Sequence, residues 1–351
     1  MKICQVCHRF PPHTGGIETH VYELSKRLAE EFDVEVLTTD LSGSLNSIEK
    51  IEGITVRRFK SYAPSEAYYF SPDLYRYLKR NSDRYDVVHA HNYHAFPALF
   101  AALAKRNKLI FTPHYHGKGG STVRNLLLKP YRLFGLIIFK KADAVICVSN
   151  YERMLVRSDF GVDAVVIPNG VSLDKIRNIS SFEFSNKLIL YVGRIEKYKN
   201  IHIVVKSMKY LDDFQFYIAG KGSFERELRK LIGRLGLEDR VKLVGFIDEE
   251  TKYRWLKTCS VFVNLSPVEA FGITVLEALA CGSPAVVSNS GALKEFAEKF
   301  DCVFAVSSGI SPKELAEVIR RAAEVKVRVE LREYDWDSIA ERVIDVYRSV
   351  F

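Results

Sequence analysis

Short apolar runs alternate with amphipathic stretches along nearly the whole chain, and they do so twice. Apolar runs separated by segments long enough for a helix form the pattern of βαβ units and a parallel sheet. In the first half, Lys2–Cys7, Val34–Leu37, Val56–Phe59, Val87–Ala90, Leu109–Thr112 and Ala144–Val148 are predicted strands, and Val21, Leu24 and Leu28 after the Gly15–Gly16 turn have helical spacing. The second half restarts with Leu188–Val192, Phe216–Ala219, Val241–Val244, Val261–Leu265 and Ala285–Ser288. The expectation is an α/β protein of two doubly wound domains, 1–167 and 168–335. Their boundary falls at Ile167-Pro168-Asn169-Gly170, where Pro and Asn-Gly punctuate the pattern, and the polar stretch Ser180–Lys187 precedes the second sheet. A last helix, about 336–351, is expected to pack back on the first domain. Sheets of this kind bind ligands at the carboxyl ends of their strands, so the active site is expected in a cleft between the domains.

The length of 351 residues agrees with two domains of roughly 150 residues each. The longest apolar run, Ala95–Ala104, contains Pro97 and falls well short of the roughly 18 residues needed to cross a bilayer. Residues 1–8 are too short and too polar for a signal peptide, and a cytoplasmic location is expected. Six scattered cysteines point to reduced thiols rather than a disulfide framework. Cys4-Gln5-Val6-Cys7-His8 spells a c-type haem attachment pattern, but it lies in an alternating apolar run and is read as the first buried strand.

The net charge is +8, and the residues up to Pro168 hold 23 Lys and Arg against 17 Asp and Glu, so +6 of it lies in the first half. That bias suits an anionic partner, either a phosphate-bearing substrate or an anionic membrane surface. Nucleic acid is disfavoured, because the chain has no basic run of five or more residues and no recognition motif. Only two glutamines, Gln5 and Gln215, occur, and with the Lys and Glu content they point to a thermophilic source.

The densest chemical signal is the segment Ser266–Val287. A predicted strand ends at Leu265, a loop carries Glu269, Gly272 permits close backbone approach, and a helix begins near Ile273. Free N–H groups at that helix start suit a diphosphate. Glu277, one turn in, can accept two hydrogen bonds from a vicinal diol such as a ribose, and Glu269 can do the same for sugar hydroxyls. The plainer alternative makes Glu269 a solvated loop charge and Glu277 a first-turn acid favoured by the helix dipole.

This segment resembles the signature of retaining glycosyltransferases of family 4, which have the GT-B fold of two facing Rossmann-like domains. Shorter matches follow in the family's order: Pro11-Pro12 with Gly15-Gly16, Thr112-Pro113-His114, Val148-Ser149, Pro168-Asn169-Gly170-Val171, Gly193-Arg194 with Lys199, Gly220-Lys221-Gly222, Gly245-Phe246 and a final helix from Trp336 to Tyr347. The resemblance implies that Glu277 holds the donor ribose and Glu269 the hydroxyls of the transferred sugar. Arg194 and Lys199 would clamp the diphosphate, with Gly15 and Gly16 offering N–H groups from the other domain. It further implies donor-binding roles for Gly193, Gly220, Phe246, Phe271, Gly272, Ile273 and Thr274, and acceptor-side positions at His13, His116 and Lys118.

Eight of the nine histidines lie in the first half. His89, His91 and His94 invite a zinc reading. His89 and His91 share a strand face, His94 is expected to begin a helix, and no Cys or carboxylate completes the set, so no metal site is expected. The resemblance points to His114 as the histidine near the donor sugar, with His116 as the alternative, since a second histidine follows two residues later. The apolar, basic stretch Leu126–Lys141 is read as a half-buried helix packed on the sheet, with docking on an anionic membrane as the alternative. The aromatic stretch Tyr62–Tyr77 is open between acceptor contact and domain core.

The expected activity is transfer of a sugar from a nucleotide-diphosphate sugar to a hydroxyl acceptor, with retention of configuration and with no cofactor and no required metal. The alternatives are a GT-B sugar-nucleotide epimerase and a non-catalytic sugar-nucleotide-binding protein. A dehydrogenase is disfavoured, since Gly220-Lys221-Gly222 lacks the third glycine of the dinucleotide fingerprint.

Overall fold

A computed structural model of the chain describes residues 1–64, 68–117 and 122–351, with the side chains of 122–130 outside the description. Lys118 therefore lies outside the described residues. The chain divides into two compact units, Met1–Gly170 with Arg332–Phe351, and Val171–Leu331.

The first unit is built on an eight-stranded sheet. Its strands are β1 (Lys2–Val6), β2 (Asp33–Asp40), β3 (Ile48–Ile51), β4 (Ile54–Lys60), β5 (Val87–His91), β6 (Lys108–Thr112), β7 (Ala144–Cys147) and β8 (Val165–Val166), in the order β3-β4-β2-β1-β5-β6-β7-β8. Ile3 pairs with Val34 on one side and Val87 on the other, both in parallel register. The expectation of a wholly parallel sheet needs one correction, because β3 runs antiparallel to β4 at the edge. Its Ile-Glu-Lys-Ile sequence is too short and too exposed to register as an apolar run. β1 is buried from Ile3 onward, so Cys4 and Cys7 are core thiols whose burial pushes their pKa up, Cys7 to about 12. A thiol so hard to ionise is a poor nucleophile.

Helix α1 (Gly16–Glu31) places Val21, Leu24 and Leu28 in the core, as their spacing predicts. The helix expected at His94 starts instead at Phe96, with Pro97 in its first turn, and runs to Leu103 as α3. Pro restricts the residue before it but is well placed at a helix start, so His94 stays in the loop. Tyr68, Tyr75 and Tyr77 of the aromatic stretch pack on the core beside Phe96, Phe100 and Phe59, whereas Tyr62, 62% exposed, and Phe70, 43% exposed, stay at the surface. The last helix, α13 (Trp336–Ser349), is capped by Asp335 and buries Trp336 and Tyr347 in the first unit's core. Its Tyr347 hydroxyl reaches into the sheet, accepting from Gln5 Nε2 at 3.0 Å and bonding His89 Nδ1 at 2.7 Å.

The second unit carries six parallel strands: β9 (Lys187–Val192), β10 (Phe214–Ala219), β11 (Val241–Gly245), β12 (Val261–Asn264), β13 (Ala285–Ser288) and β14 (Val303–Val306), ordered β11-β10-β9-β12-β13-β14. β14 was not predicted, and its half-exposed Phe304 and exposed Ala305 explain its weak signal. Order reverses between β9 and β12, which makes the carboxyl ends of those strands the topological switch point. No described helix is long and apolar enough to cross a membrane.

Candidate functional site

The loops that leave β9, β10 and β12 converge. Tyr191 Oη donates to the Arg194 carbonyl at 2.8 Å, the Gly193 N–H donates to the Ala219 carbonyl and the Ile195 N–H to the Lys221 carbonyl. This approach requires glycine at 220: its φ is +135°, and a Cβ there would lie 1.9 Å from the Gly193 carbonyl oxygen. Gly193 and Gly220 thus have a packing reason of their own. Arg194 stays exposed, its guanidinium 3.4 Å from the Tyr198 hydroxyl.

Lys199 ends a single 3₁₀ turn, Lys197–Lys199, and the Asn200 amide pins that turn to the Leu265 carbonyl at the end of β12. This brings the Lys199 ammonium onto the Glu269 carboxylate as an ion pair, with Nζ 5.0 Å from the Tyr198 ring centre. The pair is mostly buried, with side-chain exposures of 11% and 22%. Burial by itself lowers the lysine pKa, but Glu269 and Tyr198 outweigh it and hold the ammonium above its ordinary range. Lys199 is therefore a fixed cation at neutral pH, and Glu269 is not a solvated loop charge.

Helix α10 (Ile273–Ala280) begins at Gly272, whose φ of +105° lies in the left-handed region that favours glycine. Phe271 is buried against Phe296 at 5.2 Å, while Ile273 and Thr274 are half-buried at the helix start. Glu277 is not a first-turn acid. It is 2% exposed, and its Oε1 accepts from Lys252 Nζ at 2.5 Å and from Tyr253 Oη at 3.3 Å, both on α9 (Glu249–Thr258). Its Oε2 is buried with no hydrogen-bond partner among the described residues. Such an oxygen is costly unless a ligand hydroxyl supplies the missing bond. Phe246, after β11, is 61% exposed and has no packing reason to be aromatic.

In the first unit, Gly15 precedes α1 and Gly16 opens it, but the helix start already has a carboxylate over it. Glu18 folds back so that a Cβ at Gly15 would lie 2.4 Å from its Oε2, and Arg9 Nε donates to its Oε1 at 2.7 Å. Burial works against that charge, yet His8, Arg9 and its own backbone N–H outweigh burial and lower its pKa. His13 is exposed in the preceding loop, and the His116 ring stacks on His94 at 4.8 Å. His114 is 7% exposed with φ +49°. The loop that carries it is held by buried Glu152, whose carboxylate accepts from the N–H groups of Tyr115 and Val148. His89 and His91 do share a face, their ring centres 4.1 Å apart.

Burial lowers the pKa of His8 to about 4, with Glu18 pulling it upward and Arg9 downward. Between pH 6.5 and about 4 the unfolded chain binds a proton here that the folded chain refuses, so stability falls as the pH drops. The slope from this one side chain approaches about 1.4 kcal/mol per pH unit. Urea unfolding of a His8→Gln variant should show a flatter pH dependence than wild type across that window. An unchanged slope would exclude His8 as its source.

Sequence reasoning did not find Lys252, Tyr253, Glu18, Glu152 or His20. Each acts on a partner from another element, and only the cap pattern Ser149-x-x-Glu152 left a local trace, with Glu152 N–H bonding Ser149 Oγ at 3.0 Å.

Two doubly wound α/β units, with glycine-lined strand ends and a buried helix-borne glutamate, define a GT-B fold. Residues 14–175 match the model for glycosyltransferase family 4, and residues 173–346 match that for glycosyl transferases group 1. The chain belongs to this glycosyltransferase family. A phosphatidyl-myo-inositol mannosyltransferase from Mycobacterium leprae is 27% identical, over 100% of this chain and 97% of its own length. Sucrose-phosphate synthase from Thermosynechococcus elongatus superposes with a TM-score of 0.82 at 21% identity, covering 100% of this chain and 99% of that one. HepE from Anabaena, solved with UDP and glucose, gives 0.80 at 20% identity, covering 99% and 100%.

Proposed function

We propose that this protein is a retaining hexosyltransferase that moves a sugar from a nucleotide-diphosphate sugar to a hydroxyl acceptor. The observation that carries the reading is the Lys199–Glu269 pair beside the Gly193–Arg194 turn: a fixed cation and a carboxylate, locked together at strand ends. Lys199 and Arg194 stabilise charge growing on the leaving diphosphate, and the start of α10 adds its N–H groups. Glu269 accepts from hydroxyls of the transferred sugar, and Glu277 Oε2 from the ribose. Attack occurs on the face the diphosphate leaves, with a diphosphate oxygen taking the acceptor proton. No protein nucleophile, cofactor or metal enters this scheme.

A nucleotide-sugar donor is supported by the HepE neighbour with UDP and glucose bound. The mycobacterial relative acts on phosphatidyl-myo-inositol by its name, which favours a polyol or lipid-linked acceptor. The exposed Leu133, Leu136 and Ile137 of helix α4 (Thr122–Lys141), with Lys140 and Lys141 in its last turn, support an anionic membrane as the place where that acceptor is met.

The test is a panel of nucleotide sugars with and without acceptors, including anionic vesicles that carry phosphatidylinositol, read as nucleoside diphosphate release and as product anomer by NMR. Release that depends on acceptor, with the donor's anomeric configuration kept, is expected. A new sugar nucleotide formed without acceptor would make the protein an epimerase; an inverted product would overturn retention; binding without turnover would leave a sensor.

A further inference from the structure

Helix α5 (Asn150–Phe160) holds the loop that follows β6 along one face. Glu152, Leu155 and Asp159 fall at i, i+3 and i+7, the spacing that puts side chains on one side of a helix. The Glu152 carboxylate accepts from the Tyr115 N–H, and Asp159 Oδ2 accepts from the Tyr115 hydroxyl at 2.7 Å. Leu155 lies against the end of the loop, where a Cβ added to Gly117 would be 3.2 Å from its Cδ1. The second oxygen of Glu152 takes the Val148 N–H at 2.6 Å, so one carboxylate ties the chain leaving β6 to the chain leaving β7.

Between these ties lies His114. Its φ of +49° is in the left-handed region, which residues other than glycine occupy uncommonly and keep only when their surroundings hold them there. Both peptide groups that flank it are tied. On one side the Pro113 carbonyl accepts from the Tyr93 N–H at 2.7 Å, and on the other the Tyr115 N–H is held by Glu152. Because a peptide group is planar, fixing the planes on either side of a residue fixes its φ and ψ, and with them the direction of its Cα–Cβ bond. The imidazole is not aimed by its own Nε2, which is buried with no hydrogen-bond partner among the described residues. Its ring packs edge-on against His20, with 5.1 Å between centres. Holding the loop in this way carries a desolvation cost. Glu152 is 0% exposed, and burial pushes its carboxyl up to about 8 against the pull of the Val148 and Tyr115 N–H groups. An apolar side chain would pack α5 without that cost but would leave both N–H groups unanswered.

We propose that α5 is the brace that aims His114 for sugar transfer, with Glu152 as its positioning residue. The inference rests on the reading of His114 as the histidine near the donor sugar, and it adds the group that sets its backbone. Glu152 is fully buried and touches no substrate; its effect passes through the Tyr115 N–H to the peptide plane and so to His114.

Glu152→Gln keeps the volume but turns an amide NH₂ toward one of the two N–H groups, so one tie is lost. With the best donor and acceptor of the panel, its kcat should fall by about 10 to 100-fold, the scale for a misplacement of about an ångström. Donor KM should change by less than about threefold, because diphosphate and ribose are held elsewhere. His114→Ala should lower kcat as well, and the double variant should be no slower than His114→Ala alone, since the brace then has nothing to aim. The Tyr115 amide proton, bonded to a carboxylate, should resonate far downfield in the wild type and move upfield in Glu152→Gln. If Glu152→Gln does not fold, Tyr115→Phe frees the loop from Asp159 and leaves the carboxylate in place. That variant should lose about 3 to 10-fold in kcat, the worth of one hydrogen bond, and nothing more in the His114→Ala background. Wild-type kcat in a folded Glu152→Gln, losses that add fully to those of His114→Ala, or an unmoved Tyr115 resonance would each overturn the proposal. A folded His114→Ala with wild-type kcat is a different failure: it removes His114 from the donor and the brace with it. The Tyr115 resonance separates the two, since it reports the tie whether or not sugar is transferred.

Discussion

Lys199→Ala lowers turnover by about 100 to 1000-fold, the scale for losing one preorganised stabiliser of transition-state charge, equivalent to about 2.7–4 kcal/mol. The magnitude rests on geometry. The Lys199 side chain is 11% exposed, its turn is pinned through Asn200 to the end of β12, and its ammonium keeps its proton because Glu269 lies against it. A cation held in place before the reaction spends no reorganisation energy when the diphosphate leaves, whereas a surface lysine does. The leaving group gains charge only as the bond breaks, so kcat should fall far more than donor affinity weakens. Steady-state kinetics separates the two, and a thermal melt of the variant checks folding. A folded Lys199→Ala protein with near wild-type turnover would remove Lys199 from the chemistry and leave the pair with Glu269 as a structural contact.

The second large effect is expected at Glu277. Lys252 and Tyr253 occupy Oε1 and leave Oε2 buried and open, so a ribose hydroxyl has one defined acceptor to meet. Glu277→Ala should weaken nucleoside diphosphate binding by about 1.5–3 kcal/mol, the range for a hydrogen bond to a charged group. A 2′-deoxyribose analogue should lose much of that energy in the wild type and little more in the variant. Calorimetric titration of both nucleotides against both proteins closes the cycle. Fully additive losses would place the ribose elsewhere. Lys252→Met, which removes the ammonium from Oε1 but keeps the carboxylate and its bond from Tyr253, separates loss of the acceptor from loss of its support: the discrimination against deoxyribose should survive in that variant.

What was legible in the chain was whatever depends on neighbours in sequence. α1 and β10 could be read because a helix repeats every 3.6 residues and a strand every two, so their buried faces are written locally, and β1 because it is a short run buried on both faces. The helix start at Ile273 was legible for the same reason, since Gly272 and the apolar run after it lie side by side. β3 and β14 escaped because edge strands bury too little to leave an apolar run.

The pairing of functional side chains could not be read in this way, because it is decided by which strand ends become neighbours. Glu269 meets Lys199 across 70 residues, and Glu277 meets Lys252 across 25. His91 finds its proton acceptor in Gln5 because β1 and β5 pair, and Gln5 is oriented by Tyr347, 342 residues away, because α13 packs on the first unit. Sequence alone determined the α/β class, the repeat of the doubly wound pattern and the glycines at its turns, since each rests on local steric or hydrophobic periodicity. Only the tertiary structure decided which charges are buried together and which imidazoles face one another, since burial and electrostatic partnership act through space and leave no period in the chain.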